Sequence, residues 1–157
     1  RFSKMGSKSD FEEFDLSERI ERIVNYLTRR LPSLGKKVEL VNDIQTGITV
    51  TANGSLLAWS IENIIRNGID AIERDDGKVT VSLREESDGI KIRIHDNGKG
   101  IPKKDWRNIF RPGFSTKQAG WGLGLSLSSR IVEDIHDGRL QVIDSSQQGG
   151  TTLEISL

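Results

Sequence analysis

Hydrophobic residues recur at helical spacing in three stretches of the chain and alternate with polar ones in others. Ile20, Ile23, Val24, Leu27 and Leu31 fall on one helical face that starts near Asp15 or Ser17, both good N-caps, and stops at Pro32. A second apolar stripe predicts a helix over about 54–73, closed by the Asp75-Asp76-Gly77 turn. Leu123, Leu127, Ile131 and Ile135 mark a third over about 122–136. Val79, Val81 and Leu83 alternate with polar residues, as do Ile90, Ile92 and Ile94, and Asp88-Gly89 joins the two runs. That pattern predicts a pair of strands, each with one buried and one wet face. Segments 37–44, 48–52, 139–143 and 152–157 read as further short strands. The stretch from Asp96 to Gly120 is Gly-rich and irregular, with one short helix expected around 103–109.

Strands joined by short turns and mixed with three amphipathic helices predict an α+β fold. The expected form is a two-layer α/β sandwich, a mixed sheet of about five strands covered on one face by three helices. Residues 15–157 form the predicted domain. Residues 1–14 carry no clean period and read as a linker from something upstream, and the opening Arg reads as the inside of a longer polypeptide.

Composition narrows what such a domain can bind. At 157 residues there is enough chain for one core. Lys plus Arg (23) equals Asp plus Glu (23), so no excess positive charge calls for nucleic acid or an anionic membrane. A polyanionic ligand must then be held by local geometry. With no cysteine, disulfides and thiolate metal sites are excluded. No apolar run approaches the roughly 20 residues that span a bilayer. Contact with a membrane is not expected from this piece, and any anchor would lie elsewhere in its parent.

Four constellations carry candidate chemistry. On the second helix, Asn63, Asn67 and Asp70 lie within about 60° of one another, opposite Ile61, Ile64, Ile65 and Ile72. The face is either solvated surface or a hard-cation site, since amide and carboxylate oxygens suit Mg²⁺ with phosphate as co-ligand. His95-Asp96-Asn97-Gly98-Lys99-Gly100-Ile101-Pro102 follows an alternating strand. It is either an ordinary Asn-Gly turn or a place where a planar ligand passes close to the backbone, with Asp96 accepting from an exocyclic amine. Phe110 to Lys117 sets two aromatics around a Pro-Gly turn before two hydroxyls and a cation. This is a plain loop or an anchored lid whose Lys117 meets phosphate. Gly120-Trp121-Gly122-Leu123-Gly124-Leu125 opens the third helix, where exposed N–H groups favour phosphate. Leu125 stands where a Rossmann fingerprint wants glycine, and no G-x-x-x-x-G-K-[ST] string exists.

In this order, the four strings resemble the boxes of the GHKL superfamily (gyrase, Hsp90, histidine kinase, MutL), over roughly residues 15–157. Glu62 to Ala71 is similar to the N box and Asp96 to Gly100 to the G1 box. Phe110 to Lys117 resembles the F box, Gly120 to Leu125 the G2 box, and Gly150-Thr151 the last glycine box. The resemblance implies a Bergerat fold that binds ATP and Mg²⁺. Asn67 would coordinate Mg²⁺ with Asn63 supporting it, and Asp96 would read adenine with help from Thr151. Gly98 and Gly100 would let the base lie close. Asp70, Ile101, Phe110, Thr116, Lys117, Gly120, Gly122, Leu123, Gly124 and Leu125 would complete the pocket, with Lys117 as a catalytic cation near the β/γ-phosphates. Gly68 stands where alanine is usual, which loosens the helix by up to ~1 kcal/mol, and Trp121 takes a place often held by a small residue.

The branch follows from one position. Gyrase-like ATPases carry a water-activating glutamate four residues before the Mg²⁺ asparagine; here that residue is Asn63. Glu62 is adjacent but points about 100° away. The strings are most similar to bacterial sensor histidine kinases of the nitrogen-regulator type. The expectation is therefore a catalytic domain that passes the γ-phosphoryl of Mg·ATP to a histidine on an absent upstream dimerisation domain, with a response regulator downstream. It is expected to be cytoplasmic and, alone, monomeric. Of the two histidines, His95 reads as structural and His136 ends a helix; neither looks like a phosphoacceptor. The rivals are a gyrase- or MutL-like ATPase, an anti-sigma-factor serine kinase, and a degenerate module that only docks partners.

Overall fold

The computed structural model describes residues 10–114 and 124–157. Five strands form the main sheet: β2 (Val38–Ile44), β4 (Gly77–Glu86), β5 (Gly89–Asp96), β6 (Arg139–Ser146) and β7 (Gly150–Ser156), in the order β2-β4-β5-β7-β6. Only β2 and β4 run parallel; the remaining neighbours are antiparallel, so the sheet is mixed. Two strands stand apart as a ribbon, β1 (Glu12–Asp15) against β3 (Thr49–Ala52). β1 begins inside the stretch that the sequence reads as linker. It lacks alternation because its register is set by pairing with β3 alone.

Helix α1 (Leu16–Arg30) forms as its stripe predicts. Oδ1 of Asp15 accepts the Glu18 N–H at 2.9 Å and caps the start, and Leu16, Ile20, Ile23, Val24 and Leu27 are buried. Pro32 opens a short 3-10 turn, and Gly35 closes it at φ 70. Helix α2 (Gly54–Asp70) is capped by Asn53, which accepts from the Leu56 N–H. It stops three residues short of the predicted end. The Ala71 carbonyl turns out of the helix and accepts the Lys99 N–H at 3.4 Å, tying α2 to the loop after β5.

The predicted third helix is shorter and less regular. Within the described residues, α3 (Ser126–Arg130) passes directly into a π-helical turn over Ile131–Ile135, which keeps Ile131, Val132 and Ile135 in the core. The helix expected around 103–109 is two 3-10 turns, Lys103–Asp105 and Asn108–Phe110. β6 runs three residues beyond its expected end. A register shift between Val142 and Asp144 breaks its alternation and turns Ile143 outward.

The helices cover one face of the sheet. Val79, Val81, Leu83, Ile92, Ile94, Leu140, Val142, Leu153 and Ile155 point into the core between the layers. The other face is polar: Arg93 bonds Glu154 at 2.8 Å and Glu86 at 3.1 Å, and His95 Nδ1 lies 2.7 Å from Thr152 Oγ1. Among the described residues no helix is long and apolar enough to cross a membrane.

Candidate functional site

The inward row of β5 runs Ile92, Ile94, Asp96, so a carboxylate takes a place that the pattern gives to a hydrophobe. Asp96 is 4% exposed. A buried carboxylate needs partners; its Oδ1 accepts the Gly98 N–H at 2.8 Å. Directly across the ladder stands Thr151 on β7, also buried and facing the same way. The two residues meet because β5 and β7 are antiparallel in that register, a relation no local string reveals.

Behind Thr151 lies Ser145 of β6. Its Oγ accepts the Ile101 N–H at 2.7 Å and lies 2.8 Å from Thr151 Oγ1. Either hydroxyl can be the donor between them; when Ser145 donates, the threonine hydroxyl is left to donate towards the site. Nothing in the sequence marked Ser145, because the bulged end of an edge strand reads as turn. Ile101 is half-buried, and its carbonyl takes the Trp106 Nε1–H at 3.0 Å. Phe110 packs half-buried on the core beside Trp106 and Ile109.

The glycines of the turn have a stronger cause than ligand access. A Cβ on Gly98 would stand 2.6 Å from the Ala71 carbonyl oxygen and 2.8 Å from Asp96 Oδ1. One on Gly100, at φ +81, would run into the Ser146 carbonyl. These positions are glycine because the chain's own backbone crosses there.

Helix α2 brings its polar face to the same end of the sheet. Gly68 sits against Asp96: a Cβ there would lie 3.4 Å from the Asp96 Cβ, an ordinary contact that an alanine would also make. Asn67 precedes it and is half-buried; its Nδ2 donates to the Asn63 carbonyl one turn back at 2.9 Å. That leaves Oδ1 as the Asn67 atom for a cation. Asp70, also half-buried, is the last residue of the helix. Asn63 is buried, and Nδ2 donates to the Gly124 carbonyl at 2.8 Å and to Ser128 Oγ at 3.0 Å. Ser128 is itself fully buried. Leu125 is buried beside it, and Gly124 adopts φ +62. Glu62 pairs with Arg66 at 2.9 Å, around the helix from Asn63. Thr116, Lys117, Gly120, Gly122 and Leu123 lie outside the described residues.

Hard oxygen donors fit this arrangement better than soft ones. Among the described residues no group of three His, Cys, Asp or Glu side chains is placed to hold a metal. Mg²⁺ asks for less, because it keeps waters and phosphate oxygens and needs one or two protein oxygens. Asn67 Oδ1 can supply one, and the Asp70 carboxylate another.

The amides of α2 thus stand against a sheet that ends in a buried carboxylate with a threonine beside it. The chain belongs to the histidine kinase-, DNA gyrase B- and HSP90-like ATPase family, whose model matches residues 52–157. It is similar to sporulation kinase C of Bacillus subtilis, 34% identical over 71% of this chain and 25% of that protein. It is also similar to the nitrogen regulation protein NtrY of Azorhizobium caulinodans, 26% identical over 91% of this chain and 19% of that one. The chain thus spans about a quarter or less of the length of these relatives. Among solved structures, the mycobacterial sensor histidine kinase MprB superposes with a TM-score of 0.79 at 27% identity, covering 94% of this chain and 96% of that one. The catalytic domain of histidine kinase ThkA gives 0.82 at 24%, covering 94% of each, which is a likeness of fold.

Proposed function

We propose that this domain binds Mg·ATP between α2 and the end of β5 and presents the γ-phosphoryl to a histidine on a separate domain of a two-component sensor kinase. The reading is carried by Asn63. Four residues before Asn67, it occupies the position where a hydrolase of this superfamily would hold a base. An amide cannot take a proton from water, and both of its N–H groups are already committed to Gly124 and Ser128.

Asp96 accepts from the adenine amino group, with Thr151 donating beside it. Asn67 and Asp70 offer oxygens at the phosphate end. Bound Mg²⁺ supplies neutralisation of charge on the β/γ-phosphates. The protein's part is then orientation and exclusion of water, as expected for phosphoryl transfer. Both ring nitrogens of His136 are hydrogen-bonded, and His95 bonds Thr152 on the face of the sheet opposite Asp96. The acceptor is therefore assigned to another domain. ThkA has been solved with the response regulator TrrA, and a regulator of that kind is the downstream partner we assign here. ATP as donor places the reaction in the cytoplasm.

The test is label transfer from γ-labelled ATP. The domain alone should retain no label and turn over slowly. Adding the helical histidine domain of its parent should yield acid-labile, alkali-stable phosphohistidine on that domain alone. Rapid phosphate release by the domain alone, or label on serine, would contradict the proposal.

A further inference from the structure

A bulge decides which residue of β6 reaches the site. Leu140 and Val142 point into the core, and strict alternation would bring Asp144 inward next. Val142 pairs with Leu153, but Asp144 pairs with Thr152, so Ile143 is an extra residue and Asp144 is turned out to solvent. Ser145 takes the inward place instead, opposite Thr151. Bulges beside a site re-aim a side chain in this way. Thr151 is paired on its other side with Asp96. One row across three strands therefore reads Asp96, Thr151, Ser145: a carboxylate and two hydroxyls.

Ser145 bonds to two sides of the place assigned to the base. Its Oγ accepts the Ile101 N–H at 2.7 Å, which ties it to the loop after β5. The same atom lies 2.8 Å from Oγ1 of the buried Thr151. A serine hydroxyl has one proton and two acceptor lone pairs. Ile101 occupies a lone pair and leaves the proton available. Either hydroxyl can donate between Ser145 and Thr151, but a ligand that takes the Thr151 proton selects the arrangement in which Ser145 donates. In adenine, the carbon that bears the amino group is also bonded to N1, a ring acceptor. With Asp96 accepting from the amine, N1 is the atom for a donating hydroxyl beside it. We propose that Ser145 is a positioning residue for the adenine edge: its hydroxyl donates to Thr151 and so holds the threonine proton towards N1. The inference rests on the reading of Asp96 and Thr151 as the base site.

Losing the hydroxyl should then weaken the recognition of N1 more than nucleotide binding in general. The experiment is calorimetric titration of ADP and of 1-deaza-ADP, in which a C–H replaces N1. It is run on the wild type, Ser145→Ala, Thr151→Val and the double variant, with circular dichroism on each. The readout is the ratio of the two affinities, in which any loss through the Ile101 loop cancels. The wild type should prefer ADP, and Ser145→Ala should lower that preference roughly 3- to 10-fold, the worth of one hydrogen bond. In the Thr151→Val background the same substitution should leave the ratio unchanged, because the residue through which it acts is gone. Ser145→Thr, which returns a hydroxyl, should recover part of the preference. Equal losses for ADP and 1-deaza-ADP in Ser145→Ala would overturn the proposal, as would an unchanged affinity for both. A wild type that binds 1-deaza-ADP as tightly as ADP would instead overturn the reading of Thr151 as a donor to the base.

Discussion

His136 and Asn53, 83 positions apart in the chain, are joined by a hydrogen bond from the Asn53 backbone N–H to the His136 Nε2 at 3.1 Å. An accepting Nε2 carries no proton, so the ring is held as the neutral tautomer with Nδ1–H donating to the Ile131 carbonyl at 2.8 Å. Phe11 stacks on the same ring with centroids 5.0 Å apart. One imidazole thus ties the cap of α2 to the π-helical turn and to the residue just before β1. His136→Ala should leave the Asn53 N–H without its partner at a cost of about 1–3 kcal/mol. In a domain of this size, each such kcal/mol is worth about 2–4 °C of melting temperature. Thermal unfolding followed by circular dichroism checks this, and an unchanged midpoint would show that the tie contributes nothing.

Gly98 offers a sharper packing test. Because its Cβ would press on the Ala71 carbonyl and on Asp96 Oδ1 together, neither a backbone oxygen nor a buried carboxylate can yield cheaply. Gly98→Ala should destabilise the fold by about 2 kcal/mol or more and also weaken nucleotide binding by shifting Asp96. Gly68→Ala, where the contacts are ordinary, should be neutral or stabilise by up to about 1 kcal/mol. Paired denaturant titrations compare the two, and equal midpoints would contradict the geometry.

An aspartate at position 63 keeps the shape of the side chain and removes its donors. The carboxylate would then face the Gly124 carbonyl, acceptor against acceptor, inside a buried contact. Asn63→Asp should cost about 1–3 kcal/mol at neutral pH and should bring no rise in ATP hydrolysis. Phosphate release assays and unfolding curves measure both. A stable variant with faster hydrolysis would show that the position is open to water chemistry.

The polar face of the sheet carries a pH-dependent contribution at Glu154. Burial works to raise its carboxyl. The hydrogen bonds from Arg93 and Ser156, with the charges of Arg93 and Lys91, outweigh burial and hold it below the usual carboxylate range. The ionised form therefore stabilises the fold above the unfolded value of about 4.3, and the contribution disappears as pH falls through the lower folded value. Stability of the wild type should drop on acidification below about pH 4 more steeply than that of Glu154→Gln. Parallel slopes in urea unfolding across this range would contradict the assignment.

Much of this architecture was legible because alternation and helical stripes were strong where one face meets the core. α1 appears within a residue or two of its predicted bounds, β4 and β5 fall on the two alternating runs and extend beyond them, and the break at Pro32 is where the ring demands it. The failures share a cause, which is that tertiary contacts replaced local pattern. β1 exists because β3 lies beside it, and β6 extends through a bulge that scrambles its period. Helix α2 ends early to pass its Ala71 carbonyl to Lys99. In the candidate site, Asp96, Thr151, Asn63 and Asn67 could be picked out by type and order, but the contacts that bring them together could not. Ser128 and Ser145 were unreadable because a serine carries no sign of what it will be buried against. The glycines of the turn were singled out for ligand access, whereas the crowding of Gly98 by the Ala71 carbonyl and of Gly100 by the Ser146 carbonyl lies between distant segments and leaves no mark in the local string.

The central claim is that Asp96 and the polar face of α2 make one Mg·nucleotide site. Calorimetric titration of a non-hydrolysable ATP analogue, with and without Mg²⁺, on the wild type and on Asp96→Ala, tests it most directly. The account predicts saturable binding that Mg²⁺ strengthens in the wild type and that is lost in the variant while its circular dichroism stays native. No binding by the folded wild type at millimolar nucleotide, or full binding by Asp96→Ala, would contradict it.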